Sequence, residues 1–311
     1  MSAYASLLTE PEVAARIGSV SVFGRVRPAH KLAAVRALRQ AGHVVAMIGD
    51  GVNDVQALKE ADLGIAMGSG SDASRSVARV VLLDGTFAAV PQILAEGRRV
   101  IANIERVARL FVTKTAYAAV IAIAIGLAGA GYPFFPRHLT LISSFTIGVP
   151  GFFLALAPGA PRAQPGFVRR VLSFAVPAGI AVAAAVLATD VIAHAVPGVS
   201  AEQARTACML AAFAMGLWVL GVVALTSAAP ADGDSGAADA GAAGGWGKAA
   251  RIGLVVAMAA CMAALFAVPA ARRTFALALP PASVLLAEAA VVVIAICALA
   301  LWQARPRFQE Q

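Results

Sequence analysis

The first 97 residues alternate short apolar runs with polar stretches of helical composition. Apolar runs of strand length, most of them followed by turn residues, lie at 19–23, 43–49, 63–67 and 80–83. Segments with helix-forming composition separate and follow them at 31–40, 52–61, 72–78 and 87–96. Strands that alternate with helices predict parallel strands joined by right-handed crossovers. Residues 1–97 are therefore predicted to form a Rossmann-like α/β unit, whose ligands bind at the carboxyl ends of the strands.

The rest of the chain is dominated by six long apolar stretches. Each has about 20 residues, the length that an α-helix needs to cross roughly 30 Å of hydrocarbon. The predicted spans cover residues 111–131, 139–157, 171–192, 206–226, 252–271 and 282–303. Residues 227–247 are rich in Ala, Gly and Asp and predict a flexible cytoplasmic loop, and 304–311 predict a cytoplasmic tail. We expect an α-helical membrane domain over 111–303.

The junction between the two parts predicts one continuous helix. Residues 98–131 contain no proline and no turn cluster. A helix of that length reaches about 51 Å, of which the bilayer core takes roughly 30 Å. Residues 98–110 are therefore predicted to be a cytoplasmic stalk, which either transmits motion to the first span or serves as a passive anchor.

Composition and charge exclude several classes of protein. Hydrophobic residues make up 60% of the 311 residues, charged residues 14%, and the mean hydropathy is +0.80, which is not the composition of an ordinary cytosolic enzyme. The net charge of +8 is spread evenly over the two parts, so no basic patch indicates a nucleic-acid partner. The partner implied by the composition is the lipid bilayer.

Basic residues predict the orientation of the spans. The N-terminus lacks the pattern of a signal peptide, so it is predicted to stay in the cytoplasm, and six spans return the C-terminus to the same side. Segments predicted to be cytoplasmic hold more Lys and Arg than the external loops, as the positive-inside rule requires, although Arg272 and Arg273 count against it. We expect a multi-pass plasma-membrane protein.

The segment from Gly49 to Asp54 carries the clearest chemistry. Asp50 and Asp54 stand four residues apart around a turn, with Asn53 between them and Gly49 and Gly51 beside Asp50. Mg²⁺ takes one or two carboxylates together with phosphate oxygens and water, and a helix N-terminus favours phosphate. The alternative is a structural turn in which these polar side chains bond to local backbone. The hexapeptide alone leaves both interpretations open.

Two further segments favour the magnesium and phosphate site over the structural turn, because they resemble motifs of a known protein family. Lys31 follows Pro28 at a predicted helix start, and 61–73 reads Ala-Asp-Leu-Gly-Ile-Ala-Met-Gly-Ser-Gly-Ser-Asp-Ala. With the Gly-Asp-Gly-Val-Asn-Asp turn, these motifs resemble the phosphorylation domain of the P-type cation-transporting ATPases, a branch of the haloacid-dehalogenase-like fold. The resemblance covers about residues 20–130, and the six spans are similar to the C-terminal membrane half of that family.

The resemblance implies a role for each motif residue. Asp50 is expected to ligate a catalytic Mg²⁺, with Asn53 and Asp54 completing the phosphate and metal site between Gly49 and Gly51. Lys31 is expected to neutralise charge on a phosphoryl group transferred from ATP. Asp62 and Asp72, at predicted helix ends, are expected to be caps.

The sequence lacks the family's phosphorylated aspartate. In that family the nucleophile is the Asp of an Asp-Lys-Thr-Gly-Thr segment upstream, whereas the first aspartate here is Asp50. The nucleotide-binding and actuator domains are also missing, so the chain is expected to be inactive alone. It is interpreted as the C-terminal portion of an ATP-driven cation pump, present as a gene fragment, a split subunit or a relic. The alternatives are a non-catalytic membrane subunit that joins an N-terminal half and a membrane-anchored phosphatase of the same fold.

The path of the transported cation is predicted at the second span. Ser143, Ser144 and Thr146 place hydroxyls beside Gly148 and Pro150, where a helix can unwind. Hydroxyl and carbonyl oxygens favour a hard cation such as Ca²⁺. The alternative is that these hydroxyls bond to their own helix backbone. The acids within the other spans, Asp190 and Glu288, are predicted to lie at the membrane interface.

Overall fold

The computed structural model describes residues 2–4, 9–156, 165–226 and 247–304. The end of the predicted second span at 157, nearly all of the predicted loop 227–247 and the tail 305–311 lie outside the described residues. The chain divides into two compact units, Met1–Leu94 and Ala95–Gln311.

The first unit is an α/β structure with two small parallel sheets. Its strands are β1 (Ser2–Tyr4), β2 (Val22–Gly24), β3 (Ala46–Gly49), β4 (Leu63–Met67) and β5 (Val80–Leu82). Its helices are α1 (Glu10–Arg16), α2 (Pro28–Gln40), α3 (Val55–Glu60) and α4 (Asp72–Val77). β1 pairs with β2, and β4 lies between β3 and β5, with all neighbours parallel. The α/β class and the parallel pairing predicted from the sequence are confirmed.

The core of this unit explains the order of its elements. β4 is the central strand, and its residues Ile65 and Ala66 are buried. α3 packs so closely over it that a Cβ atom on Gly64 would lie 2.5 Å from the Leu58 carbonyl oxygen. Val35 of α2 and Ala57 of α3 belong to one cluster of buried side chains.

Three local predictions for this unit need correction. The predicted helix 52–61 begins as a 3₁₀ turn, Val52–Asp54, before α3 starts. Ser71, not Asp72, caps α4, because the Ser71 hydroxyl accepts from the Ser74 amide. Asp62 is not a cap either: its Oδ2 accepts from the Val45 amide at 2.9 Å and ties the start of β4 to the segment before β3.

The second unit consists of helices long and apolar enough to cross a membrane. The first helix of the bundle, α5, runs over Ala89–Ala128; then follow α6 (Pro136–Ser143), a π-helical turn (Ser144–Gly148) and α7 (Val149–Ala155), which together make the second span. The remaining helices are α8 (Phe167–Ala195), α9 (Ala201–Thr226), α10 (Lys248–Ala267), the short α11 (Pro269–Phe275) and α12 (Ala282–Gln303). Six candidate spans result within the described part of the chain.

Two predicted helix boundaries are wrong for identifiable reasons. α5 starts at Ala89 rather than near 98, so the predicted helix 87–96 and the predicted stalk are one helix of 40 residues, about 60 Å long. The predicted fifth span, 252–271, is interrupted because Pro269 cannot continue α10 and instead starts α11. Arg272 and Arg273 therefore lie in α11, outside the fifth span.

Small residues let the apolar helices approach closely. α9 is the most buried of the six spans and packs against α6, α8, α10 and α12. A Cβ atom on Gly216 would lie 2.8 Å from Thr146 Cγ2. A Cβ atom on Gly179 would lie 2.5 Å from Ala116 Cβ and 3.0 Å from the Thr113 carbonyl oxygen. Membrane helices typically pack through such small residues.

We expect Gly179→Ala to destabilise the helical unit by about 1–3 kcal/mol, because its methyl group would collide with α5 backbone and the helices would have to separate. Thermal unfolding of the detergent-solubilised chain measures the change. Gly221→Ala in α9 is the matched control, since no atom lies within 4 Å of its Cβ position. An equal loss of stability in both variants would contradict the close contact at Gly179.

Candidate functional site

The turn that follows β3 is built around one contact. β3 ends at Gly49, and the chain passes through Asp50 and Gly51 into the 3₁₀ turn. The Asp54 side chain folds back over Gly49: a Cβ atom at position 49 would lie 2.6 Å from Asp54 Cβ and 2.7 Å from Asp54 Oδ2. Any residue other than glycine at position 49 would therefore collide with Asp54.

Helix α2 places a cation against this carboxylate. Lys31 lies in the first turn of α2, which Pro28 begins, and its Nζ donates to Asp54 Oδ1. The Asp54 side chain is 6% exposed and the Lys31 side chain 32%. The ion pair therefore compensates a nearly buried carboxylate and leaves the lysine partly accessible to solvent. The structure brings together these two predicted site residues, which are 23 positions apart in the sequence.

The backbone of Asp50 is fixed by the turn after β4. Its carbonyl oxygen accepts from the Ser71 amide at 2.7 Å and from Ser74 Oγ at 3.0 Å. A Cβ atom on Gly70 would lie 2.6 Å from the same oxygen. Asp50 itself is exposed. The carboxyl ends of β3 and β4 are thus joined through this residue, and its carboxylate stays free to bind a ligand.

The remaining residues of the motif differ in their surroundings. Asn53 is exposed, and Gly51 is an extended residue with φ of −99° that precedes the 3₁₀ turn. Gly51 lies close to the same carboxylate, since its Cβ position is 4.0 Å from Asp54 Oδ2. The motif is therefore gathered at one edge of the sheet, with Asp54 inside it and Asp50 and Asn53 on its surface.

The carboxylates of this motif are of the kind that binds a magnesium ion. The exposed Asp50 and the buried Asp54 both follow the end of β3, and Mg²⁺ is usually held by one or two carboxylates with water and phosphate oxygens completing the shell. No group of three His, Cys, Asp or Glu side chains suited to a closed metal site occurs among the residues that the structure describes. The arrangement therefore suits an open site that shares its metal with a phosphate.

The hydroxyls predicted for the cation path lie in the second unit. Ser143 Oγ donates to the Leu139 carbonyl at 2.5 Å, and Thr146 Oγ1 donates to the Ile142 carbonyl at 2.7 Å. The segment from Ser144 to Gly148 is not unwound but forms a π-helical turn. Pro150 explains the turn, because it has no N–H for the Thr146 carbonyl four residues earlier. The hydroxyl oxygens keep their lone pairs, and their role in transport stays a prediction.

Sequence reasoning missed some polar contacts of both units and the burial of one acid. Ser71 and Ser74, which hold the Asp50 carbonyl oxygen, are the N-cap and a first-turn residue of α4, where the sequence predicted a helix but no contact with Asp50. Asn103 Nδ2 donates to the Ala155 carbonyl at 2.6 Å, a contact for which the α5 sequence gives no signal. Glu288 is 7% exposed and thus buried among the helices, which the sequence did not predict, and its position at the membrane interface stays a prediction.

Comparisons with known proteins agree with this architecture. A sequence model of the haloacid dehalogenase-like hydrolases matches residues 5–62. The calcium-transporting ATPase CtpE of Mycobacterium bovis is 43% identical over 310 residues, which is 95% of this chain and 36% of that protein. CtpE of Mycolicibacterium smegmatis is 50% identical over 230 residues, 69% of this chain and 29% of that protein.

A more distant relative belongs to the same kind of protein. The probable cation-transporting ATPase exp7 of Streptococcus pneumoniae is 40% identical over 190 residues, 58% of this chain and 24% of that protein. The chain thus spans about a third or less of the length of these curated relatives.

The first unit and the helices after it define a class: a haloacid-dehalogenase-like α/β fold joined to a transmembrane bundle of six helices. With the relatives named above, this identifies the chain as a portion of a P-type cation-transporting ATPase. The resemblance inferred from the motifs is confirmed.

We expect Gly49→Ala to destabilise the first unit by about 1–3 kcal/mol, because the new methyl group would displace Asp54 from the end of β3. Amide hydrogen exchange over β3 and the 3₁₀ turn measures the local loss. Gly51→Ala is the control, because its backbone is extended and its Cβ position has no neighbour nearer than 3.9 Å. Unchanged exchange in Gly49→Ala would show that Asp54 does not occupy this position.

Proposed function

We propose that the chain forms the C-terminal portion of an ATP-driven pump that moves a hard divalent cation across the plasma membrane through an aspartyl-phosphate intermediate. The relatives support Ca²⁺ as the cation, since two of those named above are calcium-transporting ATPases. The observation that carries the proposal is the Lys31–Asp54 ion pair packed on Gly49 at the carboxyl end of β3. The whole pump's activity requires more than this chain.

Lys31 and Asp54 have complementary tasks in this proposal. A phosphoryl group in transfer carries negative charge on its oxygens, and catalysis rests on positioning and electrostatic stabilisation. The partly exposed Lys31 ammonium supplies positive charge at the strand end, and Asp54 holds it in place. Asn53, on the surface of the same turn, donates its amide to a phosphate oxygen.

Asp50 and Asp54 would hold the Mg²⁺ of the site. Bound there, the ion neutralises charge on the phosphoryl oxygens and on the acceptor carboxylate. Asp50 contributes an exposed carboxylate on a backbone that Ser71 and Ser74 fix, so its position costs little reorganisation when the ligands assemble. Gly49 and Gly51 leave room for the phosphate to approach the backbone.

The phosphoryl acceptor comes from elsewhere in the assembled pump. The sequence contains no aspartate before Asp50 and no Asp-Lys-Thr-Gly-Thr segment. A carboxylate nucleophile is necessary for a covalent phosphoenzyme. Turnover by this chain therefore depends on N-terminal pump domains, supplied by the same gene or by a separate chain.

The membrane part of the proposal assigns the cation path to the second span. The π-helical turn and Pro150 leave backbone carbonyls near Ser143, Ser144 and Thr146 with irregular hydrogen bonding. Carbonyl and hydroxyl oxygens are ligands for a hard cation such as Ca²⁺. We place both termini in the cytoplasm, residues 1–97 as the phosphorylation domain portion and 98–110 as the stalk.

In membranes that contain the chain together with the segment bearing the acceptor aspartate, Asp50→Asn is expected to abolish Mg²⁺-dependent phosphoenzyme formed from radiolabelled ATP. The reason is the loss of a carboxylate ligand at the metal. Glu10→Gln, an exposed carboxylate-to-amide change in α1, serves as the control and keeps the normal level. Normal phosphoenzyme in Asp50→Asn would contradict the assignment of Asp50.

Metal binding is also expected in the chain by itself. Mn²⁺ replaces Mg²⁺ at such oxygen sites, and its electron paramagnetic resonance signal reports the bound fraction. We expect Asp50→Asn to lower the affinity by at least about tenfold, whereas Glu10→Gln leaves it unchanged. Equal Mn²⁺ affinity in the wild type and in Asp50→Asn would contradict a metal site at this turn, independently of any pump activity.

A further inference from the structure

Glu288 differs from every other carboxylate that is at least partly buried. Among the described residues, each other carboxylate that is not exposed lies beside a basic side chain, which is Lys or Arg for Asp54, Glu60, Asp62 and Glu105 and His194 for Asp190. Glu288 is 7% exposed, and its Oε2 is buried with no hydrogen-bond partner. A buried polar group without a partner is rare in folded proteins and needs an explanation.

The helices packed against α12 carry a buried thiol and a second acid. Glu288 is on the second turn of α12, which packs against α8 and α9. Cys208 on α9 is fully buried and lies within electrostatic range of both Glu288 and Asp190. Cys208 Sγ is 3.6 Å from Asp190 Oδ1 on α8. The thiol thus contacts the Asp190 carboxylate and is influenced electrostatically by Glu288.

The Asp190 side chain lies in the wall of a cavity. The cavity has a volume of about 210 Å³, and Asp190, His194, Arg205 and Tyr132 contribute to its wall. His194 Nδ1 lies 3.5 Å from Asp190 Oδ1, and Asp190 keeps 21% of its side chain exposed. This volume holds several water molecules, each of which takes roughly 30 Å³. Asp190 thus connects the cavity to the Cys208 thiol, which lies within electrostatic range of Glu288.

The surroundings of Glu288 suit a proton better than a metal ion. An isolated carboxylate in an apolar environment is costly unless it is neutralised. Ca²⁺ needs six to eight oxygen ligands, and no group of three His, Cys, Asp or Glu side chains that could hold a metal ion occurs in the described part of the chain. His194 and Arg205, the basic side chains near Asp190, disfavour a second cation there. A single proton removes the charge of Glu288 with no further ligand.

We propose that Glu288 is a proton-binding site, which exchanges its proton with water in the cavity beside Asp190. The carboxylate takes up one proton and becomes a neutral carboxylic acid, and release returns that proton to the cavity water. Asp190 and the Cys208 thiol are the polar groups between the two ends of the route. The inference concerns the helical unit alone and does not depend on the pump's phosphorylation chemistry.

Infrared spectroscopy of the full chain in lipid nanodiscs tests the site. At neutral pH the wild type is expected to show the C=O stretch of a protonated carboxylic acid, and Glu288→Gln is expected to lose that band completely. Glu202→Gln, an exposed glutamate on α9, is the control and keeps the band. A wild type without this band, or a band that persists in Glu288→Gln, would overturn the proposal.

Two measurements keep the test decisive. Gln has the shape of a protonated Glu, so Glu288→Gln is expected to unfold at the wild-type temperature or above it. If the variant does not fold, the carboxyl resonance of isotope-labelled glutamate in the wild type reports the protonated form instead.

Transfer of the protein into heavy water tests the route of the proton. Asp190→Asn is expected to slow the exchange of the acid proton by about tenfold. Unchanged exchange in Asp190→Asn would overturn the route through the cavity.

Discussion

The contact between Asp54 and Gly49 is the constraint on which the rest of the first unit's site depends. A carboxylate that is nearly buried needs a compensating charge, and α2 supplies one from Lys31. Asp54 can lie this close to the end of β3 only because position 49 is a glycine, which has no side chain. Because Asp54 also ends the 3₁₀ turn, its position determines where α3 begins. One ion pair thus fixes the end of a strand, the start of a helix and the first turn of another helix.

The helical unit satisfies most of its buried polar groups in a different way. Side chains cap the ends of neighbouring helices: Asn103 donates to the Ala155 carbonyl, and Arg251 donates to the Ala224 carbonyl at 3.0 Å. These carbonyls lie in the last turns of α7 and α9, where the helix offers them no amide partner. Glu105 accepts from Arg109 and Arg170 and so connects α5 to α8. Polar residues in this unit thus mainly join helices.

The sequence predicted the kinds of element well because hydrophobic periodicity and length are local properties. The positions of β4 and of the last span follow from apolar runs that turn residues bound on either side. Gly49 and the aspartates after it could be recognised as a motif, but the pairing of Lys31 with Asp54 could not be derived from the spacing of these residues in the sequence. It depends on how α2 crosses the sheet, which is a tertiary property.

What the sequence did not predict about α5 and Glu288 has identifiable physical reasons. Only Gly97 separates the predicted helix 87–96 from the predicted stalk, and α5 continues through it because a single glycine weakens a helix without breaking it. Glu288 was placed at the interface by counting residues from the helix end. Depth along one helix does not determine burial, since the packing of α8 and α9 against α12 covers a position that would be exposed on an isolated helix.

The two acids without a basic partner that carry the proposals, Asp50 and Glu288, show how burial decides the chemistry of a carboxylate. Asp50 is exposed, remains charged in water and gains from a divalent metal beside a phosphate. Glu288 is buried, its Oε2 has no hydrogen-bond partner among the described residues, and a carboxyl group in such an environment is more stable when neutral. Identical functional groups in one chain thus suit a metal ion in one environment and a proton in the other, because the free energy of the uncompensated charge differs between them.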